Sequence, residues 1–139
     1  QKLSLPDARF FYGPETRLRR PSGSCEARWS DIGMTAAFWN LGAGSTACGV
    51  DGRIDHLVIG GERMYGLVRT SSGLKLGARA GSIRRIYRKA KRVKGSRSRW
   101  PPEPYFRPIP DGLPPSPIIA GARGGRVDEF IAVVGGAGE

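Results

Sequence analysis

The sequence predicts an α+β fold, an antiparallel sheet of roughly five to seven strands with two short helices on one face. Three observations carry that prediction. Apolar runs of strand length recur between Gly-rich turns. Two segments, around Phe10 and around Ile83, read instead as helix. A pattern Gly-Arg-[Ile/Val]-Asp-x-[Leu/Phe]-[Val/Ile] occurs twice, at Gly52–Val58 and Gly125–Ile131, and each copy runs on toward Gly-Gly. At 139 residues the chain is sized for one domain spanning 1–139, because compact domains commonly hold about 100 to 150 residues. The hydrophobic fraction of 39% leaves out 21 glycines, so the composition is that of a globular chain rich in turns.

Taken in order, Pro6 to Tyr12 reads as a short helix that Gly13 closes and Pro14 prevents from continuing. A polar stretch leads to Cys25. Gly33 to Leu41 is then a strand, broken at Gly42-Ala43-Gly44. Asp51-Gly52 is a turn feeding the alternating strand Arg53 to Ile59, and Gly60-Gly61 turns again. Met64 to Thr70 is expected to pair back as a hairpin strand, and Ser71-Ser72-Gly73 to turn into Leu74–Leu76. From about Ala80 the period changes: Ile83, Ile86, Tyr87 and Ala90 share one helical face, with Arg84, Arg85, Arg88 and Lys89 outside it. Gly95 to Pro117 is too rich in proline for a helix or a central strand and reads as a crossover loop, with an extended edge open at Tyr105-Phe106. Gly125 to Val134 closes the chain as a strand. The repeated pattern suggests a tandem duplication, with half-repeats of about 1–61 and 62–139, each a helix plus antiparallel strands.

Chemistry is sparse. Asp51, Asp55 and His56 form the one titratable cluster with the ingredients of general acid–base work. On an alternating strand, however, Asp55 and His56 point to opposite faces. Asp128 and Glu129 meet the same objection, and, if the halves pack symmetrically, cross-strand ion pairs between Arg53/Asp55 and Arg126/Asp128 are the simpler use of these residues. Gly42 to Ala47 lacks the Gly-Lys-Ser/Thr of a phosphate loop, and neither Ser24 nor Ser45 sits in a nucleophile elbow. One histidine and two distant cysteines do not make a zinc site. No catalytic residue, metal or cofactor is therefore assigned, and a non-enzymatic role is expected.

Charge is the informative feature. Lys and Arg number 23 against 12 Asp and Glu, a formal net charge of +11. From Arg63 to Pro102 there are 13 Lys/Arg and no acid. Such a block repels itself unless something anionic lies opposite. The expected binding residues are Arg84, Arg85, Arg88, Lys89, Lys91, Arg92, Lys94, Arg97 and Arg99, against an anionic envelope polymer or an acidic protein. Contact with an anionic membrane surface uses the same chemistry. Nucleic acid is the third reading, with Trp100, Tyr105 and Phe106 available to stack on bases, but no recognition motif accompanies them. The alternatives are a homo-oligomeric, self-assembling subunit of an extracellular filament or layer, and a basic face that is only solvated.

No run reaches the about 18 apolar residues of a membrane span. A chain opening on Gln1 without a leader is expected of an exported protein after signal-peptide removal, working outside the cell or in its envelope. In that compartment Cys25 and Cys48 would pair; two buried thiols are the other reading. The order helix, Gly-Pro, Ser24-Cys25-Glu26-Ala27-Arg28-Trp29, strand, Cys48, then Thr70-Ser71-Ser72-Gly73-Leu74-Lys75-Leu76-Gly77 before a segment ending Tyr87-Arg88-Lys89-Ala90, resembles uncharacterised exported actinobacterial proteins. That resemblance implies export and the Cys25–Cys48 disulfide and carries no activity. The layout is also loosely similar to the tandem helix-plus-sheet design of β-lactamase inhibitor proteins and of small outer-membrane assembly lipoproteins, and layout does not convey function.

Overall fold

The computed structural model describes residues 3–20, 23–40, 47–95, 97–103 and 116–133. Among them, eight strands form one antiparallel sheet: β1 (Arg17–Arg19), β2 (Ser24–Trp29), β3 (Met34–Trp39), β4 (Arg53–Gly60), β5 (Lys91–Lys94), β6 (Arg97–Glu103), β7 (Ser116–Arg123) and β8 (Arg126–Val133). Their order across the sheet is β1-β2-β3-β4-β8-β7-β6-β5. The helices are α1 (Leu5–Tyr12) and α2 (Ser82–Ile86), with 3-10 turns at Ser30–Ile32 and Glu62–Met64. The fold is a sheet-dominated α+β architecture with more strands than the apolar pattern predicts. The two outermost are short and polar. β1 reads Arg-Leu-Arg and β5 Lys-Arg-Val-Lys, so neither advertises an apolar face.

Alternation builds the core. Trp29, Met34, Ala36, Phe38, Ile54, Leu57, Ile59, Ile118, Ala120, Val127, Phe130 and Ala132 enter one cluster from the inner strands, joined by Leu5 and Ala8 of α1 and Ile83 of α2. Trp29, Phe38 and Phe130 are its largest fully buried side chains, each worth about 2 to 3 kcal/mol in removed apolar surface. α1 begins with a reciprocal cap. Ser4 N donates to Asp7 Oδ2 at 3.1 Å and Asp7 N donates to Ser4 Oγ. Those Ser4 bonds hold the Asp7 carboxyl below its ordinary pKa. The helix ends at Gly13, whose φ of 79° suits glycine. The Gly13 carbonyl accepts a 2.9 Å bond from Trp29 Nε1, which ties the end of α1 to the sheet.

Three expected elements are corrected. Met64–Thr70 is not a strand: it follows a 3-10 turn, passes Gly66 at φ 78°, and forms a tight loop in which Arg69 bridges Lys75. The Thr70 hydroxyl accepts from Leu74 N at 3.1 Å and so secures the turn the sequence signals. The helix expected over Ala80–Ala90 shortens to Ser82–Ile86. Tyr87, whose hydroxyl bonds Thr70 Oγ1, leaves helical geometry as the C-cap. Lys91–Lys94 then becomes β5 rather than a helical tail. Gly33–Leu41 and Gly125–Val134 do form strands, as β3 and β8. Gly95–Pro117 is not all crossover loop: it opens with β6, an interior strand paired with both β5 and β7, whose ladder shifts between Trp100 and Glu103 across two residues that lack an N–H. Tyr105-Phe106 lies outside the described residues.

The two copies of the Gly-Arg-x-Asp pattern lie side by side at the centre of the sheet. β4 pairs with β8, and Val58 faces Ile131, its counterpart in the other copy. Leu57↔Ala132 mirrors Ile59↔Phe130 about that pair, the relation a local two-fold axis produces. Buried positions match as well: Ile54, Leu57 and Ile59 against Val127, Phe130 and Ala132. In β4 the partners of Phe38 and Ala37 are Ile54 and His56, skipping Asp55; in β8 the partners of Ala122 and Gly121 are Val127 and Glu129, skipping Asp128. The same aspartate of the pattern is the extra residue of a bulge on both sides.

Candidate anion-binding surface

The nine expected binding residues occupy one end of the sheet. α2 carries Arg84 and Arg85, the short connection to β5 carries Arg88 and Lys89, β5 carries Lys91, Arg92 and Lys94, and β6 carries Arg97 and Arg99. All except Lys94, whose side chain lies outside the described set, are solvent-exposed. Strand pairing brings them together: Lys91 faces Arg99, Arg92 faces Ser98 and Lys94 faces Arg97. Residues expected on a helix and a trailing segment therefore form a helix beside an edge hairpin, which draws the cations into two dimensions.

The electrostatics of this end are unlike those of the other. Near α1 and β1, Arg9 makes a two-pronged bond to Glu15 at 2.8 and 2.6 Å, and Arg19 lies 3.7 Å from Glu26. The Arg9 guanidinium holds the Glu15 carboxyl below its usual range, and Glu15 in turn raises Arg9. Among the described residues, none of the cations of α2, β5 and β6 lies within 4.0 Å of a carboxylate. Among the described residues, the side-chain hydrogen bond these cations make is from Arg85 to Ser82 Oγ, at 3.3 Å.

A pocket of about 380 Å³ opens within this surface. Arg84, Arg92 and Ser98 line it from α2, β5 and β6, and Ile83, Ala90 and Ala122 supply apolar wall. Residue-by-residue reading found both arginines but neither Ser98 nor Ala122, since nothing in the local sequence joins β6 and β7 to α2.

The Asp55–His56 pair requires a correction. The bulge at Asp55 breaks strict alternation, so the two side chains meet, with His56 Nδ1 2.9 Å from Asp55 Oδ2 and both part-exposed. Among the described residues, no hydroxyl or thiol bonds His56, so the pair is without a partnered nucleophile. The expected ion pairs are not formed either: Arg53 donates to the carbonyls of Val50 and Gly52, and Arg126 to that of Gly77. Asp128 instead accepts from Tyr65 Oη at 3.0 Å, and burial together with that carboxylate raises the Tyr65 pKa.

Cys25 and Cys48 form a disulfide with Cα atoms 5.3 Å apart, joining β2 to the approach of β4. A disulfide is consistent with an oxidising environment, and among the described residues no helix is long and apolar enough to cross a membrane. No known family, curated protein or solved structure matches this chain.

Proposed function

We propose that this protein is an exported, non-catalytic binding module that takes an anionic envelope polymer or an acidic protein across the cationic end of its sheet. One observation carries the reading: the exposed cations of α2, β5 and β6 gather at one end of the sheet without carboxylate partners among the described residues, while Arg9 and Arg19 at the opposite end are paired with Glu15 and Glu26. Unpaired surface charge costs folding energy through self-repulsion and gains it back when a polyanion displaces the counterions. The matched registers of β4 and β8 support a second part of the proposal, that 1–61 and 62–139 are duplicated units, each a short helix packed on the same face of its own four strands.

Self-assembly into a filament is the weaker alternative. Both outer strands, β1 and β5, are short and studded with Arg and Lys, an arrangement that opposes strand addition at the edges.

Heparin chromatography in a salt gradient tests the reading. Retention should fall steeply with salt, and an Arg84/Arg85/Arg88→Ser variant should elute at clearly lower salt. Elution of wild type near physiological salt, or elution unchanged in the variant, overturns it.

A further inference from the structure

The matching registers allow the two halves to be compared position by position. Phe38 pairs with Ile54 just as Ala122 pairs with Val127; Ala27 pairs with Ala36 as Ser98 pairs with Ala120; Leu18 pairs with Ala27 as Arg92 pairs with Ser98. In the first half these positions are filled for packing: Phe38 and Ala27 are fully buried and Leu18 packs against the core. In the second half the same three positions hold alanine, serine and arginine. An alanine fills less space than a phenylalanine, and Ala122 is among the residues that line the pocket.

We infer that this pocket is a binding site for a tetrahedral oxyanion, a phosphate or sulfate ester borne on a sugar- or polyol-sized unit. The inference rests on the reading of the surface as anion-binding and names the group that is held. Arg84, Arg92 and Ser98 line the pocket from three different elements, and their side chains are of the types that donate to an oxyanion, two guanidinium forks and a hydroxyl. A planar carboxylate is satisfied by one fork, whereas a tetrahedral anion uses all three. No carboxylate is among the pocket's described lining residues. The wall of Ile83, Ala90 and Ala122 excludes water from one side, which strengthens the charged hydrogen bonds. At about 380 Å³ the space exceeds that of a bare oxyanion and lies within the range of small-molecule pockets, about 300 to 1,000 Å³.

The test is titration of the whole chain with glycerol 3-phosphate, glucose 6-sulfate and sodium acetate at matched ionic strength, followed by calorimetry and by the amide resonance of Ser98. Saturable binding of either ester, with acetate much weaker, is expected. Arg84→Ser and Arg92→Ser should each weaken it about tenfold or more. Ala122→Phe, which restores the first half's residue and leaves every charge in place, should abolish ester binding while heparin retention stays as in wild type. Failure of both esters to saturate, acetate binding as tightly, or ester affinity unchanged in Ala122→Phe and in Arg84/Arg92→Ser overturns the pocket while heparin retention stands. Loss of heparin retention in wild type, with ester binding intact, overturns the wider reading and keeps the pocket. Arg97/Arg99→Ser, outside the pocket, should lower heparin retention and leave ester affinity unchanged.

Discussion

The two halves of the sheet share a plan and spend their residues differently. Residues 1–61 hold seven Lys/Arg against six Asp/Glu, while 62–139 hold sixteen against six. The first half is built for stability: a capped eight-residue helix, a disulfide, the Arg9–Glu15 pair, and Phe38 and Trp29 at the bottom of the core. In the second half, α2 has five residues and no side-chain cap, the cations are without carboxylate partners among the described residues, and Ala122 stands where Phe38 packs. The lesson is that matching strand registers on the two sides of β4 and β8 accommodate a packed position on one side, Phe38, and a small one on the other, Ala122.

That comparison can be broken most forcefully at its best-packed point. Phe38→Ala makes the first half resemble the second, and equilibrium urea unfolding should show a loss of about 3 to 5 kcal/mol. A loss below about 1 kcal/mol would mean that the first half is not the stabilising one. Next in size is the disulfide. Closing the loop between Cys25 and Cys48, 23 residues apart, contributes about 3 kcal/mol. Cys25→Ser/Cys48→Ser should lower the unfolding midpoint accordingly, and mass spectrometry should register a two-proton gain when wild type is reduced.

The smallest effect concerns acid. The Glu15 pKa is lowered from 4.5 by Arg9, and the Asp7 pKa from 3.8 by the bonds from Ser4. A depressed folded-state pKa means stability that is present above the ordinary value and lost as pH falls through the lowered one. Stability measured against pH should thus begin to decline below about pH 4.5. Glu15→Gln should flatten part of that decline, by about 1 kcal/mol or less for a pair whose Arg9 side is exposed. A decline unchanged by Glu15→Gln would place the acid sensitivity elsewhere.

Much of this organisation was legible in the chain. Gly13 ending α1, Asp51-Gly52 opening β4 and the doubled Gly-Arg-x-Asp pattern are local signals, because a turn or an alternating strand is specified by neighbouring residues. β1 and β5 are not legible because short edge strands rich in Arg and Lys bury too little to impose a period, and β6 is masked by the prolines that argue against a strand interior. The sequence predicts β5 as the tail of a helix, since Ile83, Ile86, Tyr87 and Ala90 keep helical spacing, whereas Tyr87 leaves helical geometry as the C-cap and bonds Thr70. The binding residues were legible as a charge block but not as a pocket.

The sequence alone determined the amount of positive charge, its confinement to the acid-free window Arg63 to Pro102, and the two strands that carry the same pattern; all three follow from residue identities along the chain. Only the tertiary structure decided that those strands pair about Val58 and Ile131, that a bulge turns Asp55 toward His56, and that Arg92, Ser98 and Ala122 meet beside Arg84. These depend on register between strands distant in sequence, and register is set by which apolar sets the core accepts together.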